Sequence, residues 1–331
     1  MRALVLREDS FGIEEVELPQ PQPGEARVRL LAAALNRRDE WIRQGKYARI
    51  RYPAILGSDG CGVVDAVGSP EHAAWLHKTV IINPSLGWGD NPRAQASTYE
   101  ILGMPRPGTL AEYIVVPVDR LHEKPAHLSV EAAAALPLAG LTAYRALFTQ
   151  GALQAGQKVL ITGIGGGVAA IALQFAVAAG ANVFVTSGSD DKLQRAQHLG
   201  ALGGVNYHHP NWDRLLRELA DGEFDLVLDS AGGEPFNTLL TLTKPGGTLV
   251  CYGATLGPVP EFHLARLFWR QLRIIGSTMG TDEEFRAMLE FVWHHRIVPL
   301  IDSVVPFSEV LSAFERLRSE AHMGKIVVRF A

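Results

Sequence analysis

The sequence predicts an α/β protein in which a doubly wound parallel sheet is joined to a second, mainly β domain. Three observations predict it. Strand-like apolar runs recur at KVLIT, NVFVT, GVNY, FDLVLD, GTLVCYG and RIIGS, with helical segments between most of them, the pattern of a parallel sheet with helical crossovers. A glycine-rich turn follows the first of these runs and opens a small-residue helical segment. The preceding residues read as short strands separated by Pro and Gly signals, with little helical periodicity.

Taken in order, ALVL, EEVELP, ARVRLLAAAL, CGVVDAVG, KTVIIN and AEYIVVP are the expected strands of the β domain, with a loop at PQPQPG. Two irregular stretches, Asn36 to Gly57 and Asn83 to Thr109, are long for loops and are places where sites tend to be built. From Ser129 the texture changes to SVEAAAALPLAGLTAYRALF, a helical pattern behind a Ser cap. After Gly280, DEEFRAMLEFVWHH reads as a helix, and KIVVRF as a final strand that returns to the first domain. At 331 residues the chain exceeds the size at which a single core keeps growing. Two domains are therefore expected, one of residues 1–125 and 275–331 and one of residues 126–274.

The glycine turn is the organising stretch. A strand ends at Gly163, the turn holds Gly163, Gly165, Gly166 and Gly167, and a helix begins near Val168. Glycine suits this place because a pyrophosphate must approach backbone N–H groups at a helix N-terminus, where any Cβ would hold it off. The spacing is Gly163-x-x-Gly166-x-x-Ala169, which departs from the commonest fingerprint; Ala169 lets the helix lie close to its strand. A glycine turn of another βαβ fold is the alternative.

Composition excludes several classes. A net charge of −4 with no long basic run argues against nucleic acid. Two cysteines, Cys61 and Cys251, cannot form a disulfide framework and suit a reducing cytosol. The start, MRALVLREDS, lacks the apolar core of an export signal. The apolar stretch from Gly163 to Val185 is broken by its glycines and by Gln174, so no membrane span is expected. The expected location is cytoplasmic.

The order of these segments, together with LNRRDEWIRQGKY, ILGSDGCGVVDAVG, GTLAEYIVVP, LAGLTAYRAL, the glycine turn and the closing GKIVV, resembles the medium-chain dehydrogenase/reductase superfamily over essentially the whole chain. Within it the zinc-free quinone oxidoreductase, or zeta-crystallin-like, branch is the nearest likeness. The resemblance implies a Rossmann dinucleotide domain and a GroES-like catalytic β domain.

Zinc enzymes of that superfamily draw ligands from a Cys segment, a His segment and a later Cys or acid. Here Asn36-Arg-Arg-Asp39, Gly57-Ser58-Asp59 and Leu138 stand at those places, and a leucine cannot ligate zinc. The lobe that carries structural zinc in relatives corresponds to NPSLGWGDNPRAQASTYEILG, with no cysteine; Trp88, Pro92 and Tyr99 are read as packing in its stead. The adjacent pairs His208-His209 and His294-His295 are read as surface or capping residues. No metal is expected.

For the cofactor, the resemblance implies NADPH. No acid stands at the end of the second sheet strand, where Thr186-Ser187-Gly188-Ser189 is found; Lys192 and Tyr207 match the residues that zinc-free relatives place on the 2′-phosphate. Asp190 and Asp191 are assigned to the helix N-terminus. The turn backbone, Val168, Ser187, Gly253 and Lys325 complete the expected cofactor contacts, although Lys325 reads equally well as a surface lysine and Gly253 as a turn residue.

The implied reaction is zinc-independent hydride transfer from NADPH to a quinone or an α,β-unsaturated carbonyl, a small-molecule substrate. Asn36, Asp39, Ser58 and Asp59 map onto the family's former metal surface and are expected in the substrate pocket. Asn36 and Ser58 would act as donors, with the two aspartates orienting them. Tyr47 is the candidate proton donor, or else a packing and gating residue with solvent giving the proton. An enoyl-thioester reductase is the rival, since Arg37, Arg38, Arg43, Lys46, Arg49 and Arg51 could greet a phosphorylated arm. A cofactor-binding protein without turnover, as in the crystallins, is the third reading. A homodimer is expected through the strand RIIGS, because a long apolar edge left uncovered invites aggregation.

Overall fold

The computed structural model describes residues Met1–Ala331. It comprises two units, Met1–Leu141 with Gly280–Ala331, and Thr142–Met279. The first boundary lies later than the expected 125/126. The helix Val130–Ala134 packs on the strands Asp59–Val67 and Glu25–Ala34 of the first unit, and Leu138 N–H bonds Asp59, so both stay with the β domain. The second boundary likewise falls at 279/280, not 274/275.

The first unit is built on a seven-stranded sheet. Its long strand, Glu25–Ala34, pairs with Asp59–Val67, with Tyr113–Pro117 and with the closing strand Lys325–Arg329. Leu35 N–H donates to the Ile326 carbonyl at 3.0 Å, which brings the start of the last strand beside Asn36. Alternate residues of these strands, Val28, Leu30, Val64, Ile326 and Val328, enter one core with Leu56, Ile82, Leu110 and Phe314; full burial of such side chains stabilises by about 1.5–3 kcal/mol each. A smaller sheet holds Phe11–Glu15, Arg2–Leu6 and Ala54–Ile55. Its second strand is Phe11–Glu15 and not EEVELP. A tight turn in which Arg7 N–H meets the Ser10 carbonyl starts the pairing at Phe11, and Val16 is already bonding Met1 at its end.

The helical pattern after Ser129 is real but interrupted. Ser129 Oγ accepts from Ala132 N–H, and the helix then breaks ahead of Pro137, which cannot donate to the preceding turn.

The second unit is a six-stranded parallel sheet of β1 (Lys158–Ile161), β2 (Asn182–Ser187), β3 (Gly203–Asn206), β4 (Phe224–Asp229), β5 (Thr243–Cys251) and β6 (Arg273–Gly276), in the order β3-β2-β1-β4-β5-β6. All six anticipated strands are present. One row of register partners crosses the sheet from Phe184 through Leu160 and Val227 to Leu249 and Ile274. It belongs to a core with Phe224, Leu240 and Leu216. The order reverses between β1 and β4, so a ligand's place is at the carboxyl ends of those strands.

Candidate functional site

At that reversal the chain leaves β1 and enters the helix Gly167–Ala178 through the glycine turn. Gly163 has φ +61°, a conformation that favours glycine. Gly166 caps the helix with extended backbone and no side-chain acceptor. Gly163, Ile164 and Gly166 spend their N–H groups on Thr186 and on Gly163 itself. The N–H groups of Gly165, Gly167 and Val168 have no protein partner, and this is the donor set that an anion at a helix N-terminus requires. Ala169 is buried, closing the helix on the sheet. Asp229, at the end of β4, is buried and accepts from Thr162 Oγ1 at 2.6 Å and Gly232 N–H at 2.8 Å, tying the loops across the reversal.

The end of β2 brings further predicted residues together. Ser187 is buried, and its Oγ accepts from Ser189 N–H. Tyr207 donates its backbone N–H to the Ser187 carbonyl. Its phenol oxygen and His208 Nε2 both lie against Gly188, where an added Cβ would sit 2.7 and 2.8 Å from them. Lys192 stands in the first turn of the helix Asp190–His198, alongside Asp190 and Asp191. Asp190 accepts from Asn206 Nδ2. His208 is exposed, as read, and also joins this group; its place against Gly188 depends on the turn after β3, which the sequence does not mark. His209 is exposed, in keeping with its reading as a surface or capping residue, and its Nδ1 accepts from Asn211 N–H. Gly253 is required by the fold itself, since a Cβ there would lie 2.8 Å from the Ser230 carbonyl oxygen.

In the first unit Asn36, Asp39, Ser58 and Asp59 converge, all buried, and Lys325 joins them at 2% exposure. Asp39 Oδ2 accepts from Asn36 N–H at 2.8 Å, and Oδ1 from Gly57 N–H at 3.1 Å. Burial pushes Asp39 above the usual carboxylate range, opposed by Arg38, those two N–H groups and Lys325. Asp59 Oδ1 accepts from Leu138 N–H at 2.7 Å; its Oδ2 accepts from Asn36 Nδ2 at 2.9 Å and from Lys325 Nζ at 2.8 Å. The ammonium also donates to Asn36 Oδ1 at 2.6 Å. Lys325, expected on the cofactor or the surface, thus has its charge buried in this cluster. Ser58 is corrected as well: its hydroxyl proton goes to the Leu102 carbonyl at 2.7 Å and its oxygen accepts from Arg38 Nη1 at 2.8 Å, so it has no proton to offer a substrate.

Arg38, read as one of a cluster of loop cations, is buried and also donates to the Leu102 carbonyl. Its guanidinium lies 5.2 Å from the Tyr47 ring centroid. Tyr47 is half-buried on the first unit's core. Tyr99 is near enough to Arg38 and Tyr47 to feel both; burial first, and Tyr47 among the lesser causes, raise its phenol above the usual range. Trp88 stacks edge-on to Tyr99 at 5.3 Å, as anticipated for this lobe, and Pro92 is exposed. Arg43 is paired with Glu40 and Arg37 with Glu320. Only Lys46, Arg49 and Arg51 of the basic group are exposed cations without such a pair.

Residues 22–126 match the family described as alcohol dehydrogenase GroES-like domain, and residues 167–294 the family described as zinc-binding dehydrogenase. A zinc-type alcohol dehydrogenase-like protein, YogA, of Leptosphaeria maculans is 39% identical over 95% of this chain and 92% of its own length. The chain is a medium-chain dehydrogenase/reductase. Its solved relatives include a structure described as an NAD-dependent alcohol dehydrogenase, 38% identical with a TM-score of 0.94 over the whole of both chains. A quinone oxidoreductase of Pseudomonas aeruginosa is 31% identical over 82% of this chain and 79% of that one.

Zinc, implied by the names of two of these, does not fit the donor set of this dehydrogenase/reductase. No three His, Cys, Asp or Glu side chains converge. The carboxylate of Asp59 is already answered by an ammonium and two N–H donors, and Leu138 offers only its backbone. A dinucleotide does fit the second unit, where three N–H groups of the glycine turn await an acceptor. No helix is long and apolar enough to cross a membrane.

Proposed function

We propose that this oxidoreductase is a zinc-independent, NADPH-dependent reductase of quinones or α,β-unsaturated carbonyls. The observation that carries the reading is the buried Asn36–Asp59–Lys325 cluster, in which a lysine ammonium and an amide N–H already take up the Asp59 oxygen that a metal would need. The bound nicotinamide supplies the hydride. Gly165, Gly167 and Val168 hold its pyrophosphate through their N–H groups, while Lys192, Tyr207 and His208 receive the 2′-phosphate beside Ser187. Asn36 donates an amide proton to the substrate's carbonyl oxygen, and Tyr47 offers its phenol to the enolate-type charge as it develops. Asp39 and Asp59 orient donors and stay out of the proton chemistry. A simple alcohol is a poor substrate, since nothing in this set stabilises an alkoxide as a Lewis acid would.

The test is a panel of quinones, enones, crotonyl-type thioesters and simple alcohols, scored for NADPH and NADH oxidation or formation, with metal analysis of the same protein. Consumption of NADPH with quinones or enones supports the reading. Tighter NADH than NADPH binding in direct titration overturns the cofactor assignment, and one tightly bound zinc per chain overturns the zinc independence. Turnover of thioesters but not quinones makes it an enoyl-thioester reductase. NADPH binding with no turnover makes it crystallin-like.

We also propose a homodimer that pairs β6 with its copy. β6 is an edge strand, and Leu264, Phe268 and Trp269 just before it are 60, 65 and 80% exposed. A monomeric mass by light scattering at micromolar concentration refutes this.

A further inference from the structure

Three groups in the first unit close a ring. Lys325 Nζ donates to Asn36 Oδ1 at 2.6 Å and to Asp59 Oδ2 at 2.8 Å, and Asn36 Nδ2 donates to the same Asp59 oxygen at 2.9 Å. An ammonium can only donate and a carboxylate can only accept. The carboxamide between them is therefore locked in one of its two orientations, oxygen toward Lys325 and nitrogen toward Asp59. The Asn36 backbone is held as well, through its N–H to Asp39. One Nδ2 proton is spent on Asp59, and the other has no protein partner. We infer that Lys325 is a positioning residue that fixes the Asn36 carboxamide with this second proton outward and strengthens it as a donor. The strengthening follows because a cation on Oδ1 draws electron density out of the amide, and linked hydrogen bonds polarise one another.

The inference deepens the proposed reductase and rests on it for the acceptor, a substrate carbonyl oxygen. The ring itself is independent of that reading. Lys325 would act on the substrate through the Asn36 amide rather than by direct contact. The alternative is that Lys325 serves only as the counter-ion of a buried aspartate, in which case removing both charges together would leave catalysis intact.

The discriminating variant is Lys325→Met/Asp59→Asn, which leaves no buried charge unpaired but lets the Asn36 amide face either way. Its melting temperature and NADPH dissociation constant report folding and cofactor binding. The inference expects both to stay near wild type while kcat for quinone or enone reduction falls about tenfold or more, as for exchange of a charge-assisted donor for a neutral one. A kcat within threefold of wild type overturns it. A readout free of turnover is the Asn36 side-chain amide in ¹⁵N-resolved NMR of the full chain. In wild type the Nδ2 proton bonded to Asp59 should lie downfield and exchange with solvent far more slowly than its partner; two protons that both exchange fast overturn the ring even if the double variant does not fold. A wild-type enzyme that reduces nothing, yet shows one slowly exchanging Nδ2 proton, defeats the reductase reading and leaves the positioning of Asn36 standing.

Discussion

Replacing Tyr47 by phenylalanine separates its two possible roles, because the structure predicts different signs of evidence for each. The ring packs on the first unit's core and lies over the Arg38 guanidinium at 5.2 Å. Phenylalanine keeps the apolar contact and the aromatic face, so the cation–π contribution, about 0.5–2 kcal/mol at such sites, is largely retained. The expected stability loss is below about 1 kcal/mol, which for a chain of this size shifts the melting temperature by only a few degrees. A positioned proton donor, by contrast, contributes about 10²–10⁴ in rate; at 1.36 kcal/mol per tenfold that is about 2.7–5.4 kcal/mol of barrier. Tyr47→Phe should therefore lower kcat and kcat/KM together, by about a hundredfold or more, with NADPH affinity unchanged. The assay is steady-state NADPH oxidation with the best acceptor of the panel, alongside thermal melting. Tyr99→Phe is the control: that phenol is buried and bonded with Ser85 Oγ at 3.1 Å, and its loss should leave kcat near wild type. An unchanged kcat in folded Tyr47→Phe would remove the phenol from the mechanism and leave the Asn36 amide as the polarising group, with solvent giving the proton.

Lys192→Ala and His208→Ala should each weaken NADPH binding about tenfold to a hundredfold and leave NADH binding unchanged, from a lost charge-assisted contact of about 1.5–3 kcal/mol; equal loss for both cofactors in calorimetric titration would remove the residue from the 2′-phosphate site. His122 is pushed down to about 4, by burial first and then by Arg120. The folded state thus resists its protonation, and the stability tied to the neutral ring is complete above its unfolded value near 6.5 and is lost as pH falls through about 4, at up to about 1.4 kcal/mol per pH unit. Urea melts of wild type and His122→Phe between pH 4 and 8 should diverge in that direction; parallel curves would refute the assignment. Arg120 reaches Asp282 with two nitrogens and the Ser85 carbonyl with one of them, and Asn83 Nδ2 adds a bond to the same aspartate. Arg120→Met should destabilise by about 1–3 kcal/mol by urea melting, less than for a fully buried pair because the Asp282 side chain is 35% exposed, and the double variant with Asp282→Leu should recover part of it; an unchanged urea midpoint for the single variant would show that the pair is not holding the lobe.

The sequence by itself determined the repetitive and local features. Six apolar runs and a glycine turn specify the parallel sheet, because strand patterning and backbone freedom at glycine are properties of neighbouring residues. The helix cap at Ser129 is likewise local, a side chain answering an N–H three residues on. Tertiary structure alone decided what depends on contacts between distant segments. Lys325 looked like a surface or cofactor lysine until the last strand paired with Glu25–Ala34 and laid its ammonium on Asn36 and Asp59, 289 and 266 residues away in the chain. Ser58 looked like a donor until the loop bearing Leu102 supplied an acceptor for its proton, and Arg38 looked solvated until the same loop covered it. His208 became part of the β2 cluster only through the turn that folds it back on Gly188. A residue's type states which bonds it can make, but which of them remain open to a ligand is settled by the partners that folding brings, and for buried polar groups those partners come from anywhere in the chain.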